Sequence, residues 1–359
     1  MARQRQLFDP QKMTEFELTS FSNWPYKLPN NVQQSDVRKF KVEPLNAEYH
    51  CKLRNEGKLL ALDGGYLLRN GWDVSDLCLG AEGERKLPSS LVWRARLKNF
   101  LTFERRRWSD VVWPTRRPDK TVFGWLVWAM PKLYLLNEMS IDIPVILPAE
   151  YRRIKRIRDS LEAFDRLDFE FVERDFVGVL ENCWMVDSCS YSKGYNRVYN
   201  RAVLKEMSRY LIEKFAISPT SGSERVYISR QRSRRKISNG EEIEQILAKS
   251  GFQTVFLEDN DFRSQMELLA NARAIISVHG AGLGNMLFAP EGAVVIELTH
   301  SAIPRHFGDL ADALGHEFYY LNGEPSKMNS GKIGLNSDLN IDATEIGKLL
   351  EQTGFLRHN

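Results

Sequence analysis

His279-Gly280-Ala281-Gly282-Leu283-Gly284-Asn285 follows directly on the apolar run Ala274–Val278 and opens another helix-forming stretch. A strand that turns through glycines into a helix leaves backbone N–H groups and the positive helix end above a sheet edge, which makes a cradle for an anion. The elements around this turn repeat one plan. RVYIS (225–229) precedes a helix capped at Asn239, with Glu242 three residues on and Gly251 closing it, and QTVFL (253–257) precedes a helix opening at Asp261. AVVIEL (293–298) and HEFYYL (316–321) follow the turn. Such alternation predicts a doubly wound α/β domain whose ligand lies outside the carboxyl ends of parallel strands. A dinucleotide fingerprint needs glycine at the first, third and sixth places. Gly280 and Gly282 comply but position 285 is Asn, which weakens an NAD reading.

At 359 residues the chain has room for two domains. The boundary is AISPTSGSE, where Ser, Thr, Pro and Gly cluster, so residues 216–224 read as a linker. Residues 225–321 then form the domain just described, and 322–359 a polar tail ending in a helix with Asp342 and Glu345 as its capping box. Before the linker, 36–215 read as a second α/β domain, and 1–35 as a polar extension draped over a domain. Hairpin-like runs occupy residues 40–91, a buried helix broken or kinked at Pro131 spans Val122–Leu136, and IPVILP (143–148) reads as a parallel strand. A basic helix at 151–164, strands FEFV and CWMV, and a long helix over 196–215 complete that half.

Composition removes several function classes. Fifty Lys and Arg against 47 Asp and Glu leave +3, so any anion site is local. The longest apolar stretch, Phe123–Met130, falls well short of the ~20 residues a spanning helix needs. The opening segment has basic residues without an apolar run after them, so a cytosolic location is expected. Cys51 and Cys78 are isolated and Cys183 and Cys189 are six apart, which points to buried free thiols. The six histidines include no HxxxH or HExxH pair. Glu258-Asp259-Asn260-Asp261 contains a DxD that could hold Mg²⁺, but Asp261 is better explained as a helix cap, and no metal or other cofactor is expected.

The second chemical constellation is Ser229-Arg230-Gln231-Arg232-Ser233-Arg234-Arg235-Lys236, five cations in eight residues leaving the carboxyl end of the strand at 225–229. Arginine suits a diphosphate because its planar fork donates paired, charge-assisted hydrogen bonds. This loop and the glycine turn lie at strand ends on the same sheet edge. Glu297, at the end of AVVIE, is placed to accept hydrogen bonds from ribose hydroxyls.

These residues, in this order, resemble glycosyltransferase family 61 over about 225–298: the SRQRSRRKISN loop, the Gln of the middle helix, HGAGLGN and the terminal Glu. The resemblance implies a GT-B architecture, two Rossmann-like domains facing across a cleft, with a nucleotide-sugar donor held mainly by the C-terminal one. It also implies inverting, generally metal-independent transfer. Arg230, Arg235, His279 and Asn285 fall on the family's motif positions, with Ser229, Glu258, Gly280, Ala281, Gly282 and Glu297 completing the expected donor site. In the N-terminal half, TVFGWLVWAMPKL is similar to the family's N-x-x-H-W-x-x-D-x-x-P-R-L helix at Trp125, Pro131 and Leu133. Thr121, Gly124 and Trp128 stand where Asn, His and Asp would be expected.

The reading that follows is a glycosyltransferase acting in bacterial surface-polysaccharide synthesis, on a lipopolysaccharide or capsule acceptor. Arg230, Arg235 and His279 are its candidate catalytic residues, and Glu138, Asp142 and Asp187 are candidates for the general base. Basic segments at 94–107 and 152–158 would meet an anionic acceptor or the inner membrane face. The alternatives are a basic nucleic-acid-binding protein, which explains the charge but not HGAGLGN, and a catalytically weak member of the family.

Overall fold

The computed structural model describes residues 9–22, 27–32, 48–62, 66–69, 72–73, 85–86, 93, 106–115, 120–173, 178–193, 196–220, 222–300, 305–326 and 337–356. The chain divides into two compact units, Met1–Ser22 with Asn46–Tyr191, and Asn23–Leu45 with Ser192–Asn359.

In the first unit a ten-stranded mixed sheet is built around β10 (Gly178–Val186). On one side β10 pairs in parallel with β7 (Arg106–Trp113), followed by β8 (Val145–Pro148) and β9 (Phe169–Val172), also parallel. Its other edge pairs antiparallel, at one end with β3 (Leu59–Leu62) and at the other with β2 (Glu48–Asn55). β4 (Tyr66–Arg69), β5 (Trp72–Asp73) and β6 (Arg85–Lys86) extend the sheet from β3 by antiparallel pairing. β1 (Glu15–Ser22) pairs with β2. The expected doubly wound plan therefore does not describe this unit, because half of its sheet is hairpins, and part of the expected N-terminal extension is a strand. Trp113, Val111, Leu180 and Ile146 fill the core beside it.

The tryptophan-rich segment is a π-helix, Gly124–Ala129, running into α1 (Met130–Met139). Pro131 follows closely on the π-helix, and the widened turn lies where proline cannot donate an N–H to the helical ladder. Thr121 Oγ1 accepts from Gly124 N at 3.0 Å, and Trp128 packs edge-on against Phe123 at 5.3 Å, so all three departures from the family pattern take part in local structural contacts. The basic helix is two short ones, α2 (Glu150–Arg153) and α3 (Lys155–Leu161), divided at the extended Ile154. Cys51, Cys183 and Cys189 are buried free thiols, with Cys51 and Cys189 Sγ 3.7 Å apart; Cys78 lies outside the described residues.

β11 (Ser190–Lys193) and β12 (Asn196–Tyr199) form a two-stranded ribbon, followed by α4 (Arg201–Lys214). The expected helix over 196–215 is thus a strand and then a helix, because Asn200 is extended and its Oδ1 accepts from Val203 N at 3.1 Å as the cap. α4 falls in the second unit: Ser208 Oγ donates to Leu287 O, and the Arg201 guanidinium to Asp312 O and Ala313 O.

The second unit carries the parallel sheet expected of it. β13 (Arg225–Ile228), β14 (Gln253–Val255), β15 (Ala274–Val278), β16 (Val294–Thr299) and β17 (Glu317–Asn322) stand in the order β14-β13-β15-β16-β17, every pair parallel. Tyr227, Ile276 and Ile296 pack on one face against Ile243 and Leu247 of α5 (Gly240–Lys249) and Ile346 and Leu350 of α8 (Ala343–Gln352). α6 (Phe262–Leu269) and α7 (Arg305–Leu314) complete the helices, and the Phe262 ring meets Phe288 edge-on at 5.9 Å. Asp261 caps α6 through Ser264 N, and Asp342 caps α8 through Thr344 N and Glu345 N. From the N-terminal segment, Asn30 N donates to Phe318 O and Asn31 Nδ2 to Tyr320 O, draping residues 30–31 on β17.

Two histidines of this unit are held uncharged, His316 buried and His306 half-buried. Burial lowers the His316 pKa to about 4, its Nε2 donating to Met286 O; burial, with Arg197 and His279 nearby, lowers His306 to about 3. In an unfolded chain both titrate at roughly 6.5. Between that value and the folded ones the unfolded state binds more protons, so stability is full above about pH 6.5 and is lost as pH falls towards 4. The melting temperature is expected to drop from pH 7 to pH 5, with a shallower drop in His316→Gln. An equal slope in that variant would exclude His316 as a cause.

Candidate donor site at the carboxyl edge of the second sheet

Two loops meet at the carboxyl ends of β13 and β15. The arginine loop is pinned at its far end by the C-terminal tail: Ser238 N donates to Leu339 O, Leu339 N to Lys236 O, and Lys236 N to Asp338 Oδ1. Asn239 exchanges two hydrogen bonds with the Ile341 backbone. The loop is therefore fixed at its far end, while Arg232, Ser233 and Arg234 in its middle are exposed. Within it, Arg230 Nε and Nη2 donate to Arg234 O at 3.2 and 3.1 Å. Arg235 sits at φ +62°, a left-handed conformation that costs a side-chain-bearing residue on the order of 1 kcal/mol. Its Nη1 donates to His279 O at 2.8 Å.

The glycine turn receives both guanidinium groups. Gly280 is extended, at φ 171°, and a Cβ built on it would fall inside the Arg230 guanidinium. The two cations thus bracket one peptide, His279–Gly280. A 3₁₀ helix, Ala281–Phe288, takes the place of the expected α-helix, with Leu283 N donating to Gly280 O. Gly282 is less constrained than Gly280: its φ is not positive, and an added Cβ would meet Leu257 Cδ1 at 3.2 Å and Ile228 Cγ2 at 3.6 Å. Burial lowers the pKa of both arginines from the ordinary range; Arg235 adds to the effect on Arg230, while Glu258 opposes it there and Glu297 opposes it for Arg235. The groups remain cations and are partly stripped of water.

Glu297 sits in the body of β16, fully buried, with Oε1 hydrogen-bonded to His279 Nδ1. The expectation that it faces solvent to meet ribose hydroxyls does not fit this burial. Burial raises its pKa, with His279 and Arg235 pulling the other way. His279 keeps a third of its side-chain surface and stands edge-on to Phe307 at 5.2 Å. Among the described residues Glu297 Oε2, Asn285 Oδ1 and Arg235 Nε are buried without a hydrogen-bond partner. Asn285 Nδ2 donates to Gly282 O at 3.1 Å, shaping the turn from inside.

Other candidates take different places. Ser229 is buried and its Oγ donates to Glu244 Oε1 at 3.0 Å, bracing the loop on α5. Gln265 holds the 257–260 segment by donating to Leu257 O and Asn260 O. Glu258 is exposed, Asp259 pairs with Arg232, and Asp261 is a helix cap; no group of three or more metal-ligating side chains occurs among the described residues. In the first unit Glu138 is exposed, 4.0 Å from Arg166, and Asp142 is exposed. Asp187 is largely buried, bound by Arg54 Nη2 and by Lys52 N, and burial raises its pKa against those partners and Lys132. Sequence reasoning missed His306, Phe307 and the wholly buried Lys132, because no spacing distinguishes them.

Residues 122–296 match the family profile "Glycosyltransferase 61", which reaches from the tryptophan-rich helix to the strand that carries Glu297. Human protein O-linked-mannose beta-1,4-N-acetylglucosaminyltransferase 2 is 36% identical over 112 residues, 29% of this chain and 19% of that protein. Rat EGF domain-specific O-linked N-acetylglucosamine transferase is 29% identical over 307 residues, 72% of this chain and 56% of that protein. The Drosophila melanogaster protein of the same name is 25% identical over 200 residues, 49% of this chain and 37% of that protein. The chain thus spans a fifth to about half of the length of these relatives. The arginine loop and the glycine turn assembled on one sheet edge lie within the residues, 122–296, that match glycosyltransferase family 61.

Proposed function

We propose that the protein is an inverting glycosyltransferase that moves a sugar from a nucleoside diphosphate, bound at the second unit, to a hydroxyl of a glycan acceptor. The observation that supports this most is the meeting of Arg230 and Arg235 at the His279–Gly280 peptide. As the acceptor oxygen attacks the anomeric carbon, the carbon–oxygen bond to the diphosphate breaks and negative charge gathers on the leaving group. Two guanidinium groups fixed by backbone carbonyls are ready for that charge before it forms. The turn's N–H groups complete the donor site, with Asn285 shaping the turn from inside. The names of the relatives support N-acetylglucosamine as the donor sugar. They also favour a protein-linked glycan as acceptor over the bacterial surface polysaccharide read from the sequence.

A panel of nucleotide sugars, scored for released nucleoside diphosphate with O-mannosyl, O-linked and lipopolysaccharide acceptors, tests the proposal. Turnover is expected with one donor class and is expected to survive EDTA, because the arginines take the role of a metal. Loss of activity in EDTA with recovery in Mg²⁺ or Mn²⁺ would overturn the metal-independent reading and return the DxD to consideration.

A further inference from the structure

The pairing of His279 with Glu297 settles which ring nitrogen can reach a ligand. Nδ1 is taken by a carboxylate sealed inside the sheet, and a carboxylate accepts hydrogen bonds. Nε2 has no partner among the described residues, on a ring that keeps a third of its surface. With one proton between them, lying along Nδ1···Oε1, the pair leaves Nε2 with a bare lone pair. Phosphate oxygens only accept, so that lone pair would repel a diphosphate docked between Arg230 and Arg235. With a second proton in the pair, Nε2–H becomes a donor.

Resting on the donor-site reading above, we propose that the His279–Glu297 pair takes up one proton from solvent when a nucleoside diphosphate docks, making Nε2–H a third donor beside Arg230 and Arg235. Glu297 is the positioning residue of this device, fixing the ring so that the new proton must lie on Nε2. The alternative use of His279, as base for the acceptor hydroxyl, conflicts with its place. In an inverting transfer the acceptor attacks opposite the leaving group, whereas His279 shares its backbone carbonyl with Arg235 and its following glycine with Arg230.

The charges around the ring agree with uptake on binding. Glu297 from β16 favours the imidazolium, while Arg235 and Arg230 from the arginine loop oppose it until the anion arrives. From α7, Phe307 is neutral and His306 stays uncharged, its pKa held near 3 chiefly by burial, so the uptake does not reside there. The proton returns to solvent when the diphosphate leaves.

Calorimetric titration of the full chain with UDP, GDP and CDP at about pH 8, in buffers of different ionisation enthalpy, tests this. At that pH the nucleotide's own terminal phosphate, titrating at ~6, contributes little. The nucleotide that binds is expected to bring up to ~1 proton with it, and affinity is expected to fall by up to ~10-fold per pH unit as solution pH rises through this range. His279→Gln, whose amide N–H donates without taking up a proton, is expected to bind with no uptake and a flat pH profile; Glu297→Gln is expected to reduce the uptake. Binding without uptake in the wild type, or equal uptake in His279→Gln, would overturn the proton coupling and leave the donor site standing. Failure of all three nucleotides to bind would overturn the donor-site reading and the coupling with it.

Discussion

Replacing Arg230 by alanine, or Arg235 by glycine, is expected to lower kcat with the true donor by ~10² or more while the protein stays folded. Each side chain brings a cation to the same peptide, and neither is needed by the core: Arg230 bonds within its own loop and Arg235 bonds the His279 carbonyl. The choice of glycine at 235 separates function from folding. Arg235 holds φ +62°, and glycine adopts that conformation without steric cost, so the variant is expected to melt near the wild-type temperature. Removing the Nη1 bond costs about 1 kcal/mol, of the same order as the strain released. A variant that turned over normally would remove Arg235 from the leaving-group role. One that melted far lower would show that the guanidinium is chiefly a brace for the turn.

Gly280→Val is expected to abolish nucleotide binding with its circular dichroism unchanged, whereas Gly282→Ala is expected to bind within a few-fold of wild type. Residue types place both glycines in the donor site without ranking them, and the structure puts the constraint at Gly280. A side chain at 280 must displace the Arg230 guanidinium, the far end of a flexible chain, so the fold survives and the cation leaves its place. At 282 a methyl meets two apolar side chain atoms, Leu257 Cδ1 at 3.2 Å and Ile228 Cγ2 at 3.6 Å, and the leucine can yield by a few tenths of an ångström. Titration of both variants with the nucleotide preferred by the wild type checks the order. Retained affinity in Gly280→Val would mean that the position of Arg230 does not matter to the ligand.

The second unit was legible in the sequence for a physical reason. Parallel strands covered on both faces must be apolar throughout, and Ala274–Val278, all buried, reads as such a run. Caps are equally local: Asp261 and Asp342 satisfy backbone donors two or three residues away, where short-range patterns carry the information. The cation-bearing and glycine-bearing loops could be placed on one sheet edge because alternating strands and helices make the strands parallel, so every strand-to-helix loop leaves the same end of the sheet. Tertiary structure decided the rest. The residues of β10 look alike whether a neighbour runs parallel, as β7 does, or antiparallel, as β2 and β3 do, so the mixed sheet of the first unit left no periodic trace. Whether Asn196–Tyr199 is strand or helix depended on its pairing with β11. In the candidate site, the Arg235–His279 contact spans 44 residues and the His279–Glu297 pair spans 18. Residue types announced an anion site there, but only the packing of two loops over β15 and β16 determined which glycine must be bare. The same packing turned Glu297 inward to histidine, because contacts between segments far apart in the chain depend on where the sheet brings them.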